Sequence, residues 1–202
     1  PYRRQRQMCI RDSARRVQTL FGRFSIDFHA RFCYNKFKIT GDDIMFRPVR
    51  RIKNALGEEA TKEILRSARR GVLAVNGDGG YPYAIPINYL YAEEAGKIYF
   101  HGAKAGHKAD SINKCDKVCF TAYGDEIIRE DAWAPFMRSA VVFGRCRVIE
   151  DRAQTLILVK RLAMKYYPDE RLADEEIAAS GKAVRMYEIA IEHMNGKEIQ
   201  ER

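Results

Sequence analysis

From Gly71 to Gly124 the chain is cut into short β-rich runs: GVLAVN (71–76), YPYAIPINYLYA (81–92), KIYFH (97–101) and KVCFTAYG (117–124). The turn Gly77-Asp-Gly-Gly80 and a second turn at Gly96 join the first three. Tight glycine turns connect antiparallel strands, whereas a parallel pair needs a crossover of about a dozen residues or more. The chain is therefore restricted to an antiparallel meander. Pro82 and Pro86 lie inside the second run, so it is expected at an edge, at a bulge or against a ligand.

Helices are predicted over Leu56–Arg70, where apolar residues fall at Leu56, Ala60, Ile64, Leu65 and Ala68, and over His107–Lys114, Arg152–Tyr166 and Ala173–Ser180. The stretch 125–137 is expected to be a loop made sticky by Trp133, Pro135 and Phe136. Arg138–Glu150 is the longest strand candidate. In the last strand, VRMYEIAIEHMNG, alternation places Met186, Glu188, Ala190 and Glu192 on one face and Tyr187, Ile189, Ile191 and His193 on the other. About six strands with few helices predict a mainly β, α+β architecture: a small antiparallel barrel.

The net charge of +9 is unevenly spread. Residues 1–44 hold ten Lys and Arg against four Asp, whereas 45–202 carry a net of only +3, and every glutamate lies after Met45. Residues 3–13, RRQRQMCIRDS, match one reading frame of the adapter used in transposase-based sequencing libraries. Segment 1–44 is thus expected to be non-native, adapter-derived at 3–13 and translated upstream sequence at 14–44. Met45 is then the start of a single domain, 45–202. The competing reading is a basic arm or transit peptide. Nucleic-acid binding would rest on that segment alone, and none is expected.

Beyond it, Cys115, Cys119 and Cys146 form an odd, sparse set that points to reduced thiols in the cytoplasm. No apolar run reaches the roughly 18–20 residues needed to span a bilayer. His101, His107, Cys115 and Cys119 invite a zinc reading, but their spacing fits no standard finger, and no metal is expected.

The stretch IYFHGAKAGHKAD (98–110) ends a strand, breaks at glycine and offers two histidines and two lysines beside the start of a short helix. Lys104, His107 and Lys108 can supply positive charge and donors to an anion there, and Gly102 and Gly106 leave the backbone approachable. The alternative is a solvated loop.

Four pieces, PYAIPINYLY (82–91), YFHGAKAGHK (99–108), RSAVVFGRCRVIED (138–151) and EIAIEHMNGKE (188–198), resemble in order and spacing the flavin-binding split-barrel proteins of the pyridoxamine 5′-phosphate oxidase type. Within that family the nearest branch is the nitroimidazole-resistance-like one. The resemblance implies an antiparallel, Greek-key-like split β-barrel with a few peripheral helices, forming a homodimer with FMN at the subunit interface. It places the FMN phosphate on Lys104, Gly106, His107 and Lys108, the isoalloxazine ring along Ile87-Asn88-Tyr89, and His101 beside the ring, where it serves as a proton donor or acceptor or is simply satisfied by a carbonyl. Arg138 and Ser139 are implied near the flavin bound largely by the other subunit, with a dimer salt bridge as the alternative for Arg138.

The implied function is an FMN-dependent oxidoreductase of the nitroimidazole reductase-like type, passing electrons from a reduced donor to a small acceptor. With no GxGxxG stretch, NAD(P)H would bind only transiently over the flavin. The alternative is a non-catalytic flavin- or haem-binding split barrel. No C-terminal Arg-x-His pattern for pyridoxamine-phosphate oxidation is present.

Overall fold

The computed structural model describes residues 46–124, 126, 128, 130 and 136–199. The readings of segment 1–44, of Met45 as a start and of Trp133 and Pro135 concern residues outside these. Eight strands among the described residues form one antiparallel sheet: β1 (Ala55–Leu56), β2 (Gly71–Asn76), β3 (Pro82–Ile87), β4 (Leu90–Ala92), β5 (Lys97–Gly102), β6 (Lys117–Tyr123), β7 (Met137–Val148) and β8 (Arg185–Ile199). Their order is β3-β2-β6-β7-β8-β5-β4, with β1 on β8. The helices are α1 (Glu58–Ser67), α2 (His107–Lys114), α3 (Arg152–Tyr166) and α4 (Glu170–Ser180). This is the mainly β split barrel with peripheral helices expected from the sequence.

One run expected as a single strand is two. β3 pairs only with β2, and β4 only with β5, so consecutive segments sit at the two ends of the strand order. The link Asn88-Tyr89 crosses the split between them. As an edge strand, β3 tolerates the missing N–H groups of Pro82 and Pro86.

The barrel interior is filled by Leu73, Ile98, Phe100, Phe120, Val142 and Tyr187, with Ile64 and Leu65 packed into the same cluster from the buried face of α1. A second cluster, with Tyr99, Leu158, Leu162 and Met186 at its centre, lies between α3 and the outer face of β4, β5 and β8. Successive β5 residues therefore serve different layers: Ile98 and Phe100 face the barrel, Tyr99 the helix.

The alternation expected for β8 fails at its middle. Phe143 pairs with His193 but Gly144 pairs with Ile191, so Glu192 is an extra residue in a bulge. Beyond the bulge the faces exchange: Met194 joins the barrel cluster, while the His193 ring stacks on Phe46 at 4.7 Å. His193 is thus not on the Tyr187 face. Gly144 permits this crowding, since a Cβ there would come within 2.2 Å of the Ala190 carbonyl oxygen.

Glu188, 3% exposed, is the buried charge of the sheet. Lys97 Nζ reaches it at 3.0 Å and Arg147 Nε bonds the other oxygen. Burial alone would raise its pKa, but the hydrogen bonds and charges of Lys97 and Arg147 outweigh burial and leave it below the usual value. A carboxyl depressed in the folded state contributes stability above its unfolded pKa and loses it as pH falls through the folded one. Glu188→Gln is expected to lower stability at pH 7 by about 1–3 kcal/mol. Urea denaturation of both proteins should show that difference shrinking as pH falls below the ordinary glutamate range, near 4.3.

Candidate functional site

Around the end of β5 the structure gathers most of the predicted residues, but on two sides of the strand. Gly102 and Lys108 lie on the barrel side. The Lys108 ammonium sits 5.2 Å from the centre of the Phe100 ring and 5.9 Å from that of Tyr187, and a Cβ on Gly102 would lie 2.9 Å from Nζ. Lys108 is half-buried and makes no ion pair among the described residues. Burial lowers its pKa, and the Cys146 thiol near it supplies no counter-charge, because burial pushes that thiol up to about 12. This cation is held in place without an anion.

Helix α2 begins beside it. Gly106, with φ of +115°, is the N-cap and offers no side chain to the first turn. Asp110 N–H bonds Gly106 O, and the N–H groups of His107, Lys108 and Ala109 have no partner within the helix. Free N–H groups, the positive end of the helix dipole and an unpaired ammonium make an anion-binding arrangement. His107 is engaged elsewhere, stacked on Tyr83 at 4.1 Å with Nε2 3.5 Å from Asp78. Lys104 lines a different cavity, with Arg152, Lys182 and Arg185.

His101 faces the helical layer. With Asn88 it lines a cavity of about 470 Å³ walled chiefly by α3 and α4. The surrounding protein, and secondarily the Lys108 charge, hold its pKa below the ordinary histidine value, so the ring is neutral at pH 7. The side chain is exposed to solvent.

The link Ile87-Asn88-Tyr89 is more constrained than its sequence suggests. Ile87 is buried against Gly71 of β2, and Asn88 Oδ1 accepts from Arg70 at 2.6 Å. Tyr89 is fully buried and its phenol donates to Leu65 O at 2.9 Å. The Tyr166 hydroxyl accepts from Tyr89 N–H at 2.8 Å and shares its one hydrogen between the carbonyls of Tyr89, at 3.0 Å, and Arg69. Lys165 adds a bond to Ala68 O at 3.0 Å and lies 4.0 Å from the Tyr89 ring centre. Burial and the nearby Arg69 charge bring its pKa down to about 8. Tyr166 and Lys165 escaped the sequence reading, which took Arg152–Tyr166 only as a helix.

Arg138 and Ser139 are not brought to this place. They open β7, where Ser139 pairs with Lys197, while His101 pairs with Met186 at the other end of β8. Eleven residues of strand, about 36 Å of contour at roughly 3.3 Å each, separate the two. Arg138 Nε is bonded to Glu198 at 2.7 Å. Among the described residues no three metal-ligating side chains cluster. Cys115 Sγ accepts from Asn76 at 3.2 Å, and Cys119 sits within β6.

Residues 57–198 match the pyridoxamine 5′-phosphate oxidase family. The chain belongs to that family. Among solved structures it is similar to a protein assigned to 5-nitroimidazole antibiotic resistance in Bacteroides thetaiotaomicron, with 18% identity over 71% of this chain and 86% of that one and a TM-score of 0.59. It is also similar to the flavocytochrome of Azotobacter vinelandii, with 20% identity, 77% and 73% coverage and a TM-score of 0.63. A third is an FAD-binding protein of Mesorhizobium loti, with 20% identity, 72% and 97% coverage and a TM-score of 0.52. At these identities the likeness is one of fold. No curated protein matches the sequence. No helix among the described residues is long and apolar enough to cross a membrane.

For a flavin mononucleotide the phosphate end of the site fits: an unpaired ammonium, a glycine where a Cβ would strike it, and an uncapped helix start. At the ring end the backbone groups of Tyr89 are already used and Ile87 is paired with Gly71 in the β2–β3 ladder, which leaves Asn88 on that segment. Tyr166→Phe removes the partner of two backbone groups of Tyr89 at once. It is expected to cost about 1–3 kcal/mol, read as a lower denaturant midpoint with an unchanged m-value.

Proposed function

We propose that this chain is an FMN-binding oxidoreductase of the nitroimidazole reductase-like type, working as a homodimer and passing electrons from a reduced donor to a small acceptor. The observation that carries the reading is Lys108: a half-buried cation that no anion pairs among the described residues, beside Gly102 and the N–H groups of the first turn of α2 that have no partner within the helix. Holding a charge in such a place is costly unless an anion joins it, which is what a phosphate would do. The names of two similar structures, a flavocytochrome and an FAD-binding protein, agree with a flavin cofactor.

In this reading Lys108 and the first turn of α2 hold the phosphate, and the Asn88 backbone, where the chain leaves β3 beside Ile87, orients the ring. FMN when bound supplies the electron-pair transfer itself. His101, neutral at pH 7, can accept or return the accompanying proton at a ring nitrogen. The homodimer is supported by the separation of Arg138 and Ser139, which the family resemblance implies near the flavin, from His101 at the far end of the β7–β8 ladder. One flavin meets both sets only if a second chain supplies one of them.

The test is the absorption spectrum of the purified protein, with the released chromophore identified by mass. About one FMN per chain, bleached by a reduced nicotinamide, is expected. Lys108→Ala should weaken FMN binding by about tenfold or more, equivalent to about 1.4 kcal/mol. Haem as the released group would favour the non-catalytic carrier instead. Protein that neither contains nor takes up FMN would rule the proposal out.

A further inference from the structure

The cavity beside His101 is built like a site for something other than the phosphate loop's ligand. Its volume, about 470 Å³, is within the roughly 300–1,000 Å³ of small-molecule sites, and its walls are mainly apolar side chains of α3 and α4, among them Val159, Leu162 and Ile177. Glu176 is the one carboxylate in its lining. Tyr167 and Leu172, also in its lining, remain 70% and 49% exposed. Large apolar side chains left in water at a concave site are a mark of ligand binding.

A second cavity of about 320 Å³ is of opposite character. Lys104, Arg152, Lys182 and Arg185 line it with a single carboxylate, Glu150. Four cations against one anion give a formal charge of +3. Lys104, Lys182 and Arg185 make no ion pair among the described residues, and Arg152 donates through Nη2 to Gly181 O at 2.8 Å. That bond ties the turn Gly181–Ala183 to the start of α3. The two cavities share Val184 as a lining residue. The same two segments line both: the end of β5, through His101 and Lys104, and the turn before β8, through Gly181 and Lys182.

We propose that the two cavities form one composite site for an anionic amphiphile, a small aromatic or alicyclic molecule carrying a carboxylate or phosphate. Its apolar body lies in the α3–α4 cavity against His101, and its anionic group lies among Lys104, Arg152, Lys182 and Arg185. That this ligand exchanges electrons with the cofactor rests on the flavin reading above; that it binds here does not.

The experiment uses fluorescence titration of the full chain with 1-anilinonaphthalene-8-sulfonate, an aromatic body with one anionic group, and with the uncharged N-phenyl-1-naphthylamine. Each is run on the wild type, on Lys182→Gln and on Lys182→Gln/Arg185→Gln, with FMN content measured in parallel. The single variant alters only an exposed side chain, so it keeps the test open if the double variant folds poorly. The expected result is that the sulfonate loses about tenfold in affinity in the double variant and less in the single one. The neutral amine binds all three alike and FMN content stays constant. Equal responses of the two probes, or an unchanged sulfonate affinity, would overturn the proposal. So would a loss of FMN in step with the sulfonate, which would make the basic cavity the cofactor's own phosphate site. A wild type that takes up no FMN yet shows the sulfonate-specific loss would support this site and reject the flavin reading.

Discussion

The Tyr166 hydroxyl sits where the barrel is split, against the backbone of the one segment that belongs to neither flanking ladder. β3 and β4 occupy opposite ends of the strand order, so Asn88 and Tyr89 must cross between them without sheet partners. Buried backbone groups left unpaired there would cost about 1–3 kcal/mol each. Tyr166 takes both groups of Tyr89, the Tyr89 phenol reaches back to Leu65, and Lys165 closes the corner on Ala68. The last turn of α3 is thus a clamp on the split. Because α3 also walls the cavity containing His101 and Asn88, the width of the split and the shape of that cavity depend on one helix.

Strand alternation imposes a second constraint. His101 and Tyr99 belong to the helical side of β5, Phe100 and Gly102 to the barrel side, so His101 and Lys108 are separated by the strand itself. Their charges still couple, since Lys108 helps to hold His101 neutral. A ligand that touches both must pass round the end of β5, which is where the chain places Gly102, Ala103 and Gly106. Larger residues would fill that passage: a Cβ on Gly102 already meets Lys108 and, at 3.1 Å, the Tyr187 ring.

Local physics made much of this legible in the sequence. Helix α2 has the expected bounds, His107 to Lys114, because glycine precedes it and a β-rich run follows closely. The edge position of β3 is one of the three placements that two prolines left open. What escaped depends on contacts between distant residues. The division of 81–92 into two strands is invisible locally, because alternation runs on through Asn88. The bulge at Glu192 goes with a close approach of Gly144 to Ala190 across the ladder, and it turned His193 to the other face. In the site, His101, Lys108 and Gly106 were recoverable from one short stretch. The basic cavity was not, because its cations come from three segments, around residues 104, 152 and 182–185, that no spacing rule connects.

The relative weight of the predicted anion-binding residues follows from their partners. Arg138 is bonded to Glu198 and that pair presents little net charge to a newcomer, while His107 is stacked on Tyr83 and turned toward Asp78. Lys108 has aromatic faces and a protonated thiol around it and presents its full charge. Lys104 shares its cavity with three other cations. Around the end of β5 an anion therefore meets two positive centres, one at the start of α2 and one between the start of α3 and the start of β8, with His101 on the strand end that leads to both; a further basic cavity, lined by Arg47, Arg50, Arg51 and Lys197, lies at the opposite end of β8. A flavin phosphate can satisfy one of the two at β5. Under the flavin proposal the other is then free to set which second molecule is held beside the ring.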